Sequence, residues 1–104
     1  MAADAALLAD RFAALGNEAR LRIVRLLLAA HPTGMPAGEV AAELGIPAST
    51  LSHHLEKLRH EGLVSARREG TFLWYRAEAE ALRGLLDFLY EECCTRSGLV
   101  ELKS

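Results

Sequence analysis

Cysteine, proline and tryptophan are scarce: the 104 residues hold two, three and one of them. The two cysteines, Cys93 and Cys94, are adjacent. Neighbouring Cα atoms lie ~3.8 Å apart, whereas disulfides ordinarily want roughly 4.4–6.8 Å, so a bond between these two would close a strained ring. No other cysteine is present to make a different bridge. Long apolar runs are missing as well. Uninterrupted stretches such as Leu26–Ala30 are far too short to span a bilayer. The opening "MAADAALLADRFAALG" has no basic region ahead of it and is interrupted by Asp4 and Asp10, so it does not read as a secretory leader. A cytoplasmic protein with no membrane partner is expected, and a reducing compartment leaves both thiols free. There is no phosphate loop, no zinc-hydrolase motif and no recognisable cysteine–histidine pair, so an enzyme is not expected.

What is there is ordinary in bulk and uneven in distribution. Hydrophobic residues make up 51% and charged residues 25%, which suits one globular domain over residues 1–104. A core of that size is modest, and oligomerisation would help it. The whole chain carries a net charge of −2, yet between Ala48 and Arg76 five basic residues (Lys57, Arg59, Arg67, Arg68, Arg76) face three acidic ones (Glu56, Glu61, Glu69). Three of the four histidines lie in the same stretch. The sign asymmetry is mild and points towards nucleic acid.

Apolar spacing sets the elements. Leu7, Leu8, Phe12 and Leu15 recur at helical intervals until Gly16, and Asn17 then offers a cap for a second helix with Leu21, Ile23, Val24, Leu27 and Leu28. "HPTGMP" reads as a loop. A short helix with Val40 and Leu44, a Gly45-Ile46-Pro47 turn, and a helix with Leu51, Leu55 and Leu58 make a helix-turn-helix pattern. The period then changes to two. "LVSARREGTFLWYRA" reads as two strands around a Glu69-Gly70 turn, with Phe72, Trp74 and Arg76 on one face and Leu73 and Tyr75 on the other. "EAEALRGLLDFLYEECC" is helical again, with Leu82, Leu85, Leu86 and Leu89 as its stripe. The expected fold is mainly α (α+β): a winged helix-turn-helix of five helices with a two-stranded β-hairpin wing.

With Leu51, Leu55 and Leu58 turned inward, Ser49, Thr50, Ser52, His53 and Lys57 fall on or near the outward side of the second helix of the motif. Short hydroxyl side chains at a helix start can bond base edges or phosphates. Arg67 and Arg68, just before the hairpin tip, are placed for phosphate or the minor groove. A plainer reading has the hydroxyls as caps, His54 as a half-buried structural residue, and Trp74 and Tyr75 as hairpin packing. Turn, wing and basic tip together favour DNA.

Three stretches, "FAALGNEARLRIVRLL", "GEVAAELGIPASTLSHHLEKLRHEGLV" and "RREGTFLWYRA", resemble the ArsR/SmtB family of winged-helix metalloregulatory repressors, over nearly the whole chain. The resemblance implies a homodimer through the first and last helices, a palindromic double-stranded operator, no cofactor for DNA binding, and an inducer that releases it. Family sites in the first helix of the motif use cysteines; here that helix reads "AGEVAAEL" and has none. Sites along the last helix use Asp and His; here Asp87 has no histidine after His60 to join it.

That leaves Cys93-Cys94, which resembles the arsenite-responsive branch whose thiols lie at the C-terminus. Thiolates are soft ligands and prefer thiophilic ions. Two thiols match tetrahedral zinc poorly and three-coordinate arsenic or antimony better. No third cysteine follows in "TRSGLVELKS". A hydroxide, a small thiol or a partner-chain residue could complete the set, or the inducer could be a trivalent organoarsenical that needs two thiols only. A regulator of the same fold with a redox inducer or none is the further alternative. On an ideal helix the two thiols point about 100° apart, so the helix must fray or be remodelled, for which Thr95, Ser97 and Gly98 are suitable. Glu91 and Glu92 should raise the thiol pKa values and Arg96 should oppose them.

Overall fold

The computed structural model describes residues 5–97. Among them, five helices and three strands follow as α1 (Ala5–Leu15), α2 (Glu18–Ala29), β1 (Met35–Pro36), α3 (Ala37–Leu44), α4 (Ala48–His60), β2 (Val64–Glu69), β3 (Phe72–Ala77) and α5 (Ala79–Tyr90). The winged helix-turn-helix is therefore present, with α3 and α4 as its motif and β2–β3 as its wing. Asn17 caps α2 as its sequence position predicts: its side-chain oxygen accepts from the Arg20 backbone N–H at 3.0 Å.

The apolar positions meet in one core. Ile23, Val24 and Leu27 of α2, Val40 of α3, and Leu51, Leu55 and Leu58 of α4 are buried together with Leu63, just before β2, and Val64 and Ala77 of the hairpin. Among the described residues no buried side chain is polar or charged, so apolar burial carries the fold. The stripe of α5 divides. Leu82 and Leu85 turn into the core, whereas Leu86, Leu89 and Tyr90 are exposed, as is Leu7 of α1.

Three details correct the sequence reading. The stretch read as a loop holds a short strand: β1 adds antiparallel to the two-stranded wing, giving a sheet in the order β1-β3-β2, with Met35 paired to Tyr75 and Pro36 to Trp74. Two residues are too few to show an alternation, and Pro36 can lie in a ladder only because β1 is an edge. Gly34 permits the pairing. Its φ is +85°, and a Cβ there would collide with the Tyr75 carbonyl. The hairpin turn is Gly70-Thr71, because Glu69 pairs with Phe72. Finally, α5 stops at Tyr90, short of the cysteines. Leu85 is its last buried residue, and an isolated extra turn without packing has little to hold it.

Candidate nucleic-acid interface and thiol site

On α4 the inward and outward faces separate cleanly. Leu51, Leu55 and Leu58 are buried, while Ser49, Thr50, Ser52, His53 and Lys57 are all exposed. The hydroxyls are not caps. Pro47 occupies the cap position, and no side chain bonds the first-turn N–H groups. Those N–H groups and three hydroxyls therefore stand together at one end of an exposed face, an arrangement that suits phosphate and base edges. Further along, His53, Lys57 and His60 border a shallow cleft of about 300 Å³ with Glu56 and Glu61. Glu56 pairs with Arg59 at 3.3 Å, so the positive charge of this face is partly offset.

The two wing arginines are not equivalent. Directly opposed residues of an antiparallel pair share a face. Arg67 opposes Trp74, and Arg68 opposes Leu73. Leu73 and Tyr75 look across a depression of about 150 Å³ towards Ala48, Leu51 and Ser52 of α4. Arg68 is thus on the α4 side of the wing, exposed and in no ion pair among the described residues. Arg67 is on the other side and is held there. It donates to Glu69 at 3.0 Å and to the Thr33 carbonyl at 3.1 Å, and its guanidinium lies 5.2 Å from the Trp74 ring centre.

Behind α4, two arginines that sequence reasoning did not single out join it to α1. Arg11 donates to the Glu61 carbonyl at 2.9 Å. Arg20 donates through Nε to the Ala14 carbonyl at 2.6 Å and approaches His54 Nδ1 at 3.3 Å. Burial first, then the charges of Arg20 and His53, pushes the His54 pKa down. No spacing rule marks these contacts, because two of the three partners are backbone carbonyls and the third, His54, lies 34 residues from Arg20.

Past Tyr90 the chain continues as tight turns. Cys93 N–H bonds the Tyr90 carbonyl at 2.8 Å and Thr95 N–H bonds the Glu92 carbonyl at 3.2 Å. Cys94 adopts φ +67°, an uncommon choice for a residue with a side chain. The consequence is that the two sulfurs, which a helix would splay, stand 3.1 Å apart, both exposed and unbridged. The Cys93 pKa is raised, first by the hydrogen bond to Cys94, then by repulsion from a Cys94 thiolate, and last by desolvation. The neighbouring thiol sets this shift, where the sequence suggested the flanking carboxylates. Among the described residues no third His, Cys, Asp or Glu joins the pair as a metal-binding group.

The geometry of a recognition helix beside a wing is also what comparison with known proteins returns. The family described as helix-turn-helix domain matches residues 15–66, from the end of α1 into β2. The transcriptional activator HlyU of Vibrio cholerae is 32% identical over 81 residues, covering 78% of this chain and 72% of that protein. An ArsR-like transcriptional regulator from Rhodococcus superposes with a TM-score of 0.75 at 28% identity, covering 88% of this chain and 84% of the other. The chain belongs to the winged-helix transcriptional regulators of the ArsR/SmtB-like type. A further member, a homodimeric winged helix-turn-helix DNA-binding domain from Mycobacterium bovis, superposes with a TM-score of 0.66 at 31% identity, covering 92% and 88%. As a DNA-binding regulator of this ArsR/HlyU type, the chain has in α4 and the wing the elements with which the fold meets DNA. Among its described residues no helix is long and apolar enough to cross a membrane.

Proposed function

We propose that the chain is a homodimeric repressor that binds a palindromic operator and leaves it when trivalent arsenic or antimony binds Cys93 and Cys94. The observation that carries this reading is the pair of exposed free sulfurs 3.1 Å apart at the end of α5. An ion bound at the ~2.3 Å typical of zinc thiolates would meet these sulfurs at an angle of about 85°. A tetrahedral ion at the same bond length needs its sulfurs about 3.8 Å apart. Near-right-angled bonds suit a pyramidal ion with a lone pair. Each bond forms as a thiol gives up its proton and arsenite gives up a hydroxide, releasing water, so two thiols leave one hydroxide on arsenic. A trivalent organoarsenical is the second reading, favoured because no third protein ligand stands beside the pair among the described residues.

The exposed leucines of α5 support a dimer through this helix, with α1 and its exposed Leu7 alongside. In such a dimer the thiols lie at the end of the interface element. Ligand there can change the spacing of the two recognition helices, which must match one turn of DNA. DNA and ligand then oppose each other by the same factor, for which a coupling of about 1–3 kcal/mol means roughly 5- to 150-fold. Titrating reduced protein on its operator with arsenite, antimonite, a methylated trivalent arsenical, zinc and cadmium tests this. Release by the trivalent species is expected, and release by zinc alone would overturn the assignment.

A further inference from the structure

Arginine has only N–H donors, so the Arg20–His54 contact of 3.3 Å is a hydrogen bond only when His54 Nδ1 has a free lone pair. The same guanidinium is fixed at its other edge by the Ala14 carbonyl of α1, at 2.6 Å. We propose that Arg20 is a positioning residue for DNA binding, which holds the recognition helix α4 to α1 through a His54 hydrogen bond that protonation of Nδ1 breaks.

Several observations converge on this link. His54 is half-buried on α4, beside the buried Leu51, Leu55 and Leu58 and next in sequence to the outward-facing His53. Its bond therefore reports on the rotation of α4 about its own axis. A second arginine, Arg11 of α1, holds the far end of α4 at the Glu61 carbonyl, 2.9 Å away. It passes close over Gly62, where a Cβ would come within 3.0 Å of its Nη2. The recognition helix is thus tied to α1 at its middle and at its end, and only the middle tie can be switched by a proton. Arg20 from α2 and His53 from α4 are the charged or titratable groups that act on the ring, and neither is an acid. A proton on Nδ1 would set a donor against a donor and a cation against a cation. Burial and the Arg20 charge both lower the His54 pKa, in keeping with a ring that accepts the bond as the neutral form.

The link has a signature opposite in sign to the rest of the surface. His53 and His60 are exposed on the outward face of α4, where any positive charge adds to attraction for phosphate. Charging His54 releases Arg20 and loosens α4. The inference rests on α4 as the DNA-reading helix and is independent of the thiol site, so the test is made without any metalloid.

The experiment uses the full chain and a duplex selected from random-sequence DNA by the wild-type protein, at constant ionic strength, at about pH 8 and about pH 5.5. His54→Asn keeps an acceptor at the position of Nδ1 and does not titrate. It should match wild type at the higher pH and bind about three- to tenfold more tightly than wild type at the lower. Arg20→Gln should weaken binding by about the same factor at the higher pH, while its circular dichroism spectrum stays that of wild type. Nitrogen-15 NMR of the imidazoles, which needs no variant to fold, should show His54 Nδ1 unprotonated at about pH 8. Parallel pH profiles for wild type and His54→Asn, or a protonated Nδ1 at the higher pH, would overturn the proposal.

Discussion

At the scale of single residues, adjacency in sequence does not mean equivalence in role. Arg67 and Arg68 are neighbours, yet strand alternation sends them to opposite faces. Arg67 meets Glu69, Thr33 and Trp74, whereas Arg68 is exposed on the α4 side. Arg68→Ala should weaken DNA binding evenly across sequences and reduce the salt slope by about one, as loss of one phosphate contact requires. Arg67→Ala should change the slope less. Its ion pair is exposed, so the loss to stability should not exceed about 1 kcal/mol in a denaturant titration. An equal fall in slope for both variants would contradict this division. His54 adds a pH term. Its folded pKa lies below the usual ~6.5, so the stability tied to its neutral form is present above that value and lost as the pH falls below it. Thermal melts of wild type and His54→Asn should therefore diverge in acid and agree near pH 8.

At the scale of elements, what could be read from the sequence followed burial. The helical spacing of Leu51, Leu55 and Leu58 identified α4, its inward face and, by exclusion, its outward residues, because all three leucines are buried. Leu58→Ala should cost about 2–5 kcal/mol of unfolding free energy. Where packing is absent the pattern was silent. The end of α5 could not be found from apolar spacing, since Leu86 and Leu89 continue the stripe while facing solvent. Strand β1 is two residues of a Pro- and Gly-rich stretch, held by Gly34 at a conformation other residues resist. Gly34→Ala should accordingly destabilise the chain and raise amide exchange at Met35 and Tyr75, measured by hydrogen–deuterium exchange. The hairpin turn lies one residue further on than its composition suggested. A slip of one changes every cross-strand pair, so the Arg67–Trp74 contact could not be assigned before the register was known.

At the scale of the molecule, the winged helix was readable because its signals agree: two helices around a Gly-containing turn, then an abrupt change of period. The thiol site was only half readable. The residue types pointed to a soft ion, but the closeness of the sulfurs comes from the backbone of Cys94, which has no mark in the sequence. The exposed leucines of α5 lie between the wing and the thiols in the chain. Leu86→Glu or Leu89→Glu should convert a dimer to a monomer in sedimentation equilibrium and abolish operator binding together with it. Such a variant that stays dimeric would place the interface elsewhere. The central claim is that the vicinal thiols, and not the DNA-binding face, receive the signal. Its most direct test is fluorescence anisotropy of a labelled operator duplex bound by reduced wild-type, Cys93→Ser or Cys94→Ser protein as arsenite is added. Equal initial binding by all three proteins and release of wild type alone are expected. Release of either serine variant at the wild-type arsenite concentration would contradict it.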